Sequence, residues 1–212
     1  MLSLKHARAW YREEDAVHGF GHIRRVYALC QKIGQAEGAD MDVLLAAALL
    51  HDAQGSHPGE NARNDHHLRS AQFASEILSG MGWQAEHIRA VQHCIRAHRF
   101  RDDEMPESLE AQVLFDADKL DVIGAIGVVR ALAYAFQIEQ PVFAEPSPLF
   151  LETRQKEGDE PHSAYHEYLY KLMNISSVLI TPTARQMARQ RQAFLNNFFE
   201  ELAVEMRSDL TD

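Results

Sequence analysis

An all-α fold, a single helical bundle, follows from three observations on this chain. Apolar residues recur every three to four positions along almost its whole length, the spacing of amphipathic helices. No stretch alternates convincingly between apolar and polar with the period of two that marks a half-buried strand. One run, residues 43–50, is apolar on all sides and reads as the central helix around which a bundle packs. At 212 residues with 46% hydrophobic content, the chain is long and apolar enough for one domain with a proper core.

The elements can be justified in order. Residues 22–36 carry Ile23, Val26, Cys30 and Ile33 at helical spacing. Asp40 is the predicted N-cap of a helix over 41–51, built from Val43, Leu44, Leu45, three alanines, Leu49 and Leu50. An amphipathic segment over 66–79 ends at Ser79-Gly80, and 84–98 places Ile88, Val91 and Ile95 on one stripe. Segment 107–120 leads through Asp121 into 122–138, whose Gly124 and Gly127 suggest close helix packing. Pro141, Pro146 and Pro148 mark a loop, and segments 162–175 and 183–206 close the chain. Two stretches read as irregular loops, 53–65 and 140–160, and loops beside a site are natural substrate contacts. The expected organisation is a metal-site core over about residues 18–125, with the C-terminal helices over 162–206 packing on it.

Composition narrows the function. Lys+Arg number 21 against 31 Asp+Glu, a formal net charge of −10. That balance argues against a nucleic-acid polymer as partner, which would need a basic face. Small anionic substrates remain compatible, because a bound divalent cation inverts the local field. The two cysteines, Cys30 and Cys94, sit at apolar helix positions and read as buried reduced thiols. The N-terminal stretch has no apolar signal-like region, and the longest apolar run is too short to span a bilayer. These features predict a cytoplasmic protein with no membrane partner.

Twelve histidines direct attention to metal chemistry. His51-Asp52 ends the apolar helix, with His22 upstream and Asp118 downstream on separate helices. Two imidazoles and two carboxylates form a ligand set suited to a divalent cation. Asp118 shares a face with Ala111 and Leu114, and with Asp121 one turn on; a carboxylate on an apolar face is costly to bury unless paired or metal-bound. At ~100° per residue, His98 lies about 20° from Val91 and points inward, whereas His93 lies about 200° away and points to solvent. His66 aligns with Phe73 and Ile77, His67 with Ala74, and periodicity does not choose between them. His6, His18, His57, His87, His162 and His166 read mostly as surface residues.

The ordered stretches His22-Ile23-Arg24-Arg25-Val26, Leu49-Leu50-His51-Asp52, His66-His67-Leu68-Arg69-Ser70-Ala71, Ile95-Arg96-Ala97-His98 and Asp116-Ala117-Asp118-Lys119-Leu120-Asp121 resemble the HD-domain metal-dependent phosphohydrolase superfamily. The tail, with His166, Lys171 and the final helix, is similar to a bacterial subgroup of small predicted hydrolases, some of which act on nucleoside triphosphates. The resemblance implies His22, His51, Asp52 and Asp118 as metal ligands, with Asp121 behind them. Branches with two metals place further histidines where His66 and His98 fall here, so a second metal site stays open beside the first. The cation could be Mn, Mg, Co, Fe or Ni. His66, His67 or His98 could instead act as general acid. Lys119 and Lys171 are candidates for contacts with substrate phosphate, with Arg185, Arg189 and Arg191 behind them. One departure stands out: Ala53-Gln54-Gly55-Ser56-His57 lacks the Glu that some nucleotidase members place just after the motif. The implied activity is hydrolysis of a phosphoester or phosphoanhydride bond in a nucleotide or related small phosphate. A di-iron HD-type oxygenase and a non-catalytic nucleotide sensor are the alternatives.

Overall fold

The computed structural model of the protein describes residues 2–11, 17, 19–54, 65–99 and 104–208. Among them the regular elements are all helical. The chain divides into two compact units, Met1–Asp121 with Leu179–Gln186, and Val122–Val178 with Met187–Asp212.

The first unit is built around the apolar run. Helix α3 (Met41–Leu50) packs against α1 (Leu4–Ala7), α2 (Phe20–Glu37), α4 (His66–Gly80), α5 (Ala85–Ala97) and α6 (Leu109–Leu120). A helix touching neighbours on all sides needs no polar face, which explains its uninterrupted Val43–Leu50 sequence. Asp40 starts it as expected: its carboxylate accepts from the backbone N–H groups of Asp42 and Val43 at 3.0 and 3.2 Å. Ser108 caps α6 in the same way, accepting from Ala111 N–H at 3.1 Å. The short α1 was not foreseen. The chain just after it is fastened by Tyr11, whose hydroxyl donates to the Leu49 carbonyl at 2.9 Å. Cys30 and Cys94 are buried free thiols, and burial pushes Cys94 up to about 12.

The second unit begins with α7 (Gly124–Gln137), followed by α8 (Pro148–Thr153), α9 (Ala164–Tyr170) and α10 (Ile175–Val178). The last helix, α11 (Pro182–Ser208), starts in the first unit and runs on through the second. Gly124 has φ +76°, and a Cβ there would lie 3.1 Å from the Arg191 stem, so the expected close packing holds at that glycine. At Gly127 the crowding comes instead from the Val122 carbonyl.

Three expectations need correction. The stretch 140–160 is not wholly irregular: it contains α8, with Ser147 as N-cap and Pro148 in the first turn. The predicted helix over 162–175 is broken into α9, a 3₁₀ turn over Leu172–Asn174 and α10. His166 is buried rather than at the surface. Its Nδ1 meets Ser163 Oγ at 2.7 Å and its Nε2 meets Glu160 Oε1 at 3.0 Å. Glu160 also accepts from Ser147 and Glu157, so the 140–160 stretch is pinned to itself. Of the other expected loop, residues 55–64 with His57 lie outside the described residues, as does His18.

Asp116, two residues before the candidate ligand Asp118, closes the first unit. It is fully buried and accepts from Ile180 N–H, Thr181 N–H and Thr181 Oγ1–H at 2.8, 2.6 and 2.7 Å. Asp116→Ala would leave three donors unmatched, two of them buried. We expect it to lower the stability of the first unit by about 3 kcal/mol, read as a shift in the urea midpoint; an unchanged midpoint would contradict the role assigned to this carboxylate.

Candidate metal centre

Five helices of the first unit deliver the candidate ligands. His22 lies in the first turn of α2, His51 and Asp52 follow α3, His66 opens α4, His98 follows α5, and Asp118 sits in the last turn of α6. All are buried except the half-buried Asp118. Among the described residues, two groups place their ligand atoms within 4.8 Å of one another: His22, His51 and Asp118, and Asp52, His66 and His98.

Asp52 stands between them. Its Oδ2 is 3.7 Å from the Nε2 atoms of both His22 and His51. Its Oδ1 is 3.2 Å from His66 Nε2 and 3.6 Å from His98 Nε2. Asp118 Oδ1 completes the first group at 3.4 Å from His22 Nε2. Each oxygen of one carboxylate thus faces a different pair of imidazoles.

The far side of three rings fixes their tautomers. His22 Nδ1 lies 2.8 Å from Asp121 Oδ2, His51 Nδ1 lies 3.0 Å from the Ala48 carbonyl, and His98 Nδ1 contacts the Ile95 carbonyl. Carboxylate and carbonyl oxygens can only accept, so each Nδ1 donates, and in the neutral ring that a metal requires each Nε2 presents a lone pair. The His22 and His51 Nε2 atoms are 3.3 Å apart. Two lone pairs that close, beside two carboxylates, make a donor set that fits a divalent cation.

A second tier holds the ligands. Asp121 is itself held by Arg25, whose Nε and Nη2 donate to its two oxygens at 2.7 and 3.0 Å. Lys119 is buried, and its ammonium donates to the His98 carbonyl at 2.8 Å and to Asp118 Oδ2 at 2.9 Å, over the Phe115 ring. It ties the end of α5 to α6 and fixes Asp118 so that the other oxygen faces His22. Arg25 was missed as a site residue, although it lies one helical turn from His22 on the same face, where such a clamp would sit.

Electrostatics follow from burial and crowding. Burial lowers His51 to about 4, helped by His98 and His22 and opposed by Asp52 and Asp118. Burial alone would raise Asp52, but His51, His66 and His98 outweigh it and hold the carboxyl well below the usual range. Asp118 is likewise lowered against its burial, mainly by Lys119 and then His22. Both carboxylates therefore stay ionised and ready to ligate.

The structure separates residues that the sequence left together. His66 faces Asp52, whereas His67 has its Nδ1 3.4 Å from Arg99 Nη1. Lys171 belongs to the second unit, where its ammonium lies 3.8 Å from Glu167. His93 does not point freely to solvent: its Nδ1 meets Glu104 at 2.9 Å and its Nε2 accepts from Glu107 N–H. The helical wheel placed it off the core correctly, but the chain after α5 folds back over it.

Comparisons with known proteins agree with this geometry. The family model described as HD domain matches residues 19–123, which span every candidate ligand. YpgQ of Bacillus subtilis is 32% identical over 213 residues, covering 95% of this chain and 94% of YpgQ. The crystal structure of YpgQ in complex with ADP has a TM-score of 0.71 at 27% identity, over 96% of this chain and 97% of that one. A Lactobacillus plantarum protein reaches 0.78 at 25% identity over 98% and 100%. A predicted HD superfamily hydrolase from an uncultured Thermotogales bacterium gives 0.63 at 27% identity over 96% and 90%. The chain belongs to the HD-domain superfamily, and its all-α fold is that of the superfamily's hydrolases. Among the described residues no single helix is long and apolar enough to cross a membrane.

The buried His51 makes the metal-free protein acid-sensitive. With a folded value of about 4 against an ordinary 6.5, the unfolded chain binds the proton more readily between those limits. Stability is therefore full above pH ~6.5 and declines as pH falls towards ~4, by on the order of 2–3 kcal/mol. Urea denaturation of metal-free wild type and His51→Gln at both ends of that window should show the smaller loss in the variant. Equal losses would contradict the assignment.

Proposed function

We propose that this protein is a divalent-metal-dependent phosphohydrolase that cleaves a phosphoester or phosphoanhydride bond of a nucleotide. The observation that carries the reading is the Asp52 carboxylate between two imidazole pairs, with the His22 and His51 lone pairs converging at 3.3 Å. His22, His51, Asp118 and Asp52 Oδ2 would hold one cation, and Asp52 Oδ1, His66 and His98 a second. When bound, such ions supply Lewis acidity towards phosphate oxygens and acidify coordinated water.

The chain's own residues then have separable tasks. Asp121 and Arg25 keep His22 turned Nε2-inward. Lys119, with its ammonium committed to His98 and Asp118, belongs to the frame of the site rather than to the substrate. His66 and His98 face Asp52, so we assign the proton delivered to the leaving oxygen to His67, the candidate histidine left outside that cluster. A nucleotide is favoured because YpgQ, similar over nearly the whole chain, was crystallised with ADP.

The same pair of clusters suits a di-iron oxygenase. Two irons per chain with O₂-dependent turnover and no phosphate release would replace the hydrolase reading. Tight nucleotide binding without turnover under any metal would make the protein a sensor.

The direct test is release of phosphate and pyrophosphate from a panel of nucleotides and phosphomonoesters with Mn²⁺, Co²⁺, Mg²⁺ or EDTA. We expect metal-dependent release abolished by EDTA. Asp52→Ala should lose both metal and activity while remaining helical by circular dichroism. His67→Asn should keep its metal and lose ~10²–10⁴-fold in kcat. Normal turnover by Asp52→Ala would overturn the site.

A further inference from the structure

His51 and Asp52 lie where α3 stops being a helix, in a turn over residues 51–54. In a continuing helix two consecutive side chains diverge by ~100°. The chain tightens here instead: Ala53 N–H donates to the Leu50 carbonyl at 3.2 Å, although a continuing helix would offer it to Leu49. The Leu49 carbonyl is met by Tyr11, whose hydroxyl donates to it at 2.9 Å. The Tyr11 ring packs with Ala7, Ile23, Leu49 and Ala53, so apolar contacts carry its hydroxyl to the helix end. Burial first, and the Asp52 carboxylate second, hold this phenol well above its usual range, while the Asp52 backbone N–H acts the other way by bonding its oxygen. The hydroxyl therefore stays protonated and is inserted between the Leu49 carbonyl and the Asp52 N–H, which stops α3 at that point. A second hydroxyl holds the far end of the turn. Ser70 Oγ accepts from Gln54 N–H at 3.1 Å. Ser70 is fully buried and lies four residues after His66, on the same side of α4. That contact fixes the turn carrying Asp52 to the helix carrying His66, whose Nε2 is 3.2 Å from Asp52 Oδ1. All these residues belong to the first unit.

We propose, on the two-cation reading of the site given above, that Tyr11 and Ser70 are positioning residues whose hydroxyls hold the turn over 51–54 so that Asp52 offers one oxygen to each imidazole pair. Released from either hold, the turn can continue the helical path of α3, and Asp52 swings towards one pair at the expense of the other. The loss falls on one cation more than the other. His22, His51 and Asp118 are each held by contacts of their own, to Asp121, the Ala48 carbonyl and Lys119. The second group has no such independence, because it depends on Asp52 Oδ1 and on where α4 lies against the turn. Tyr11 and Ser70 thus govern whether the centre holds a pair of ions or one.

The test is binding of Mn²⁺ to the full chain, followed by titration calorimetry and electron paramagnetic resonance. Wild type should take up two ions per chain and give the spectrum of a spin-coupled pair. Tyr11→Phe and Ser70→Ala should each bind the first ion within about threefold of wild type and the second at least ~10-fold more weakly, with the coupled spectrum lost. Val43→Ala opens a cavity at the opposite end of α3, so it should lower stability and keep the coupled pair. In the metal-free protein, amide hydrogen exchange should quicken at least ~10-fold at Asp52 in Tyr11→Phe and at Gln54 in Ser70→Ala. Variants that keep the coupled pair at wild-type affinity would overturn the proposal and leave the metal centre standing. Equal weakening of both ions, matched by Val43→Ala, would overturn it as well, since the hydroxyls would then serve stability alone. A wild type that takes up no Mn²⁺ would overturn both the proposal and the metal centre.

Discussion

A single buried carboxylate organises the first unit of this protein. Asp52 is surrounded by four imidazoles, and each of its oxygens faces two of them. Taking a carboxylate out of water is costly unless charge or hydrogen bonds offset the loss. Here the compensation is drawn from the ends of four helices, α2 to α5, whose relative placement decides whether the four rings meet the carboxylate. The apolar α3 therefore has two linked tasks. It supplies the packing surface for its neighbours, and it delivers His51 and Asp52 at its end, where the backbone carbonyl of Ala48 can fix the His51 ring.

The outer contacts explain how such a centre is set in advance. His22 is held by Asp121 and Arg25, His51 and His98 by carbonyls of their own helices, and Asp118 by Lys119. Each contact removes a ring flip or a rotamer that would turn a donor atom away, so less ordering is left for the moment of ligand binding. The surface of the chain is acidic overall, with a formal charge of −10. A negatively charged substrate must then be drawn by local positive charge at the site, which is the role a divalent cation would fill.

How much of this was legible in the sequence depended on range. The apolar run and Asp40 signalled α3 and its start, because both act within a few residues. The wheel separated His98 from His93, since burial of one face is a property of a single helix. It could not choose between His66 and His67, which stand ~100° apart at a helix start where both flank the inner face; only the position of Asp52 on another element decides which ring meets it. His93 was misread for a similar reason, as Glu104 reaches it from a later segment. The buried His166 carried no signal, because its partners Glu160 and Ser163 sit in a stretch whose prolines masked the Ser147-Pro148 start of α8. The burial cost of Asp118 required a pair or a metal; Lys119, next in sequence, supplies the pair, and the carboxylate also lies in one group with His22 and His51.

The most direct test of the central claim is a crystal of the protein soaked in Mn²⁺, with anomalous scattering used to locate the metal. If Asp52 joins two sites, two peaks ~3.5–4 Å apart will flank its carboxylate, one beside His22, His51 and Asp118 and the other beside His66 and His98. A single peak with Asp52 turned wholly to one side would contradict the bridging role, and no peak among these residues would remove the metal centre itself.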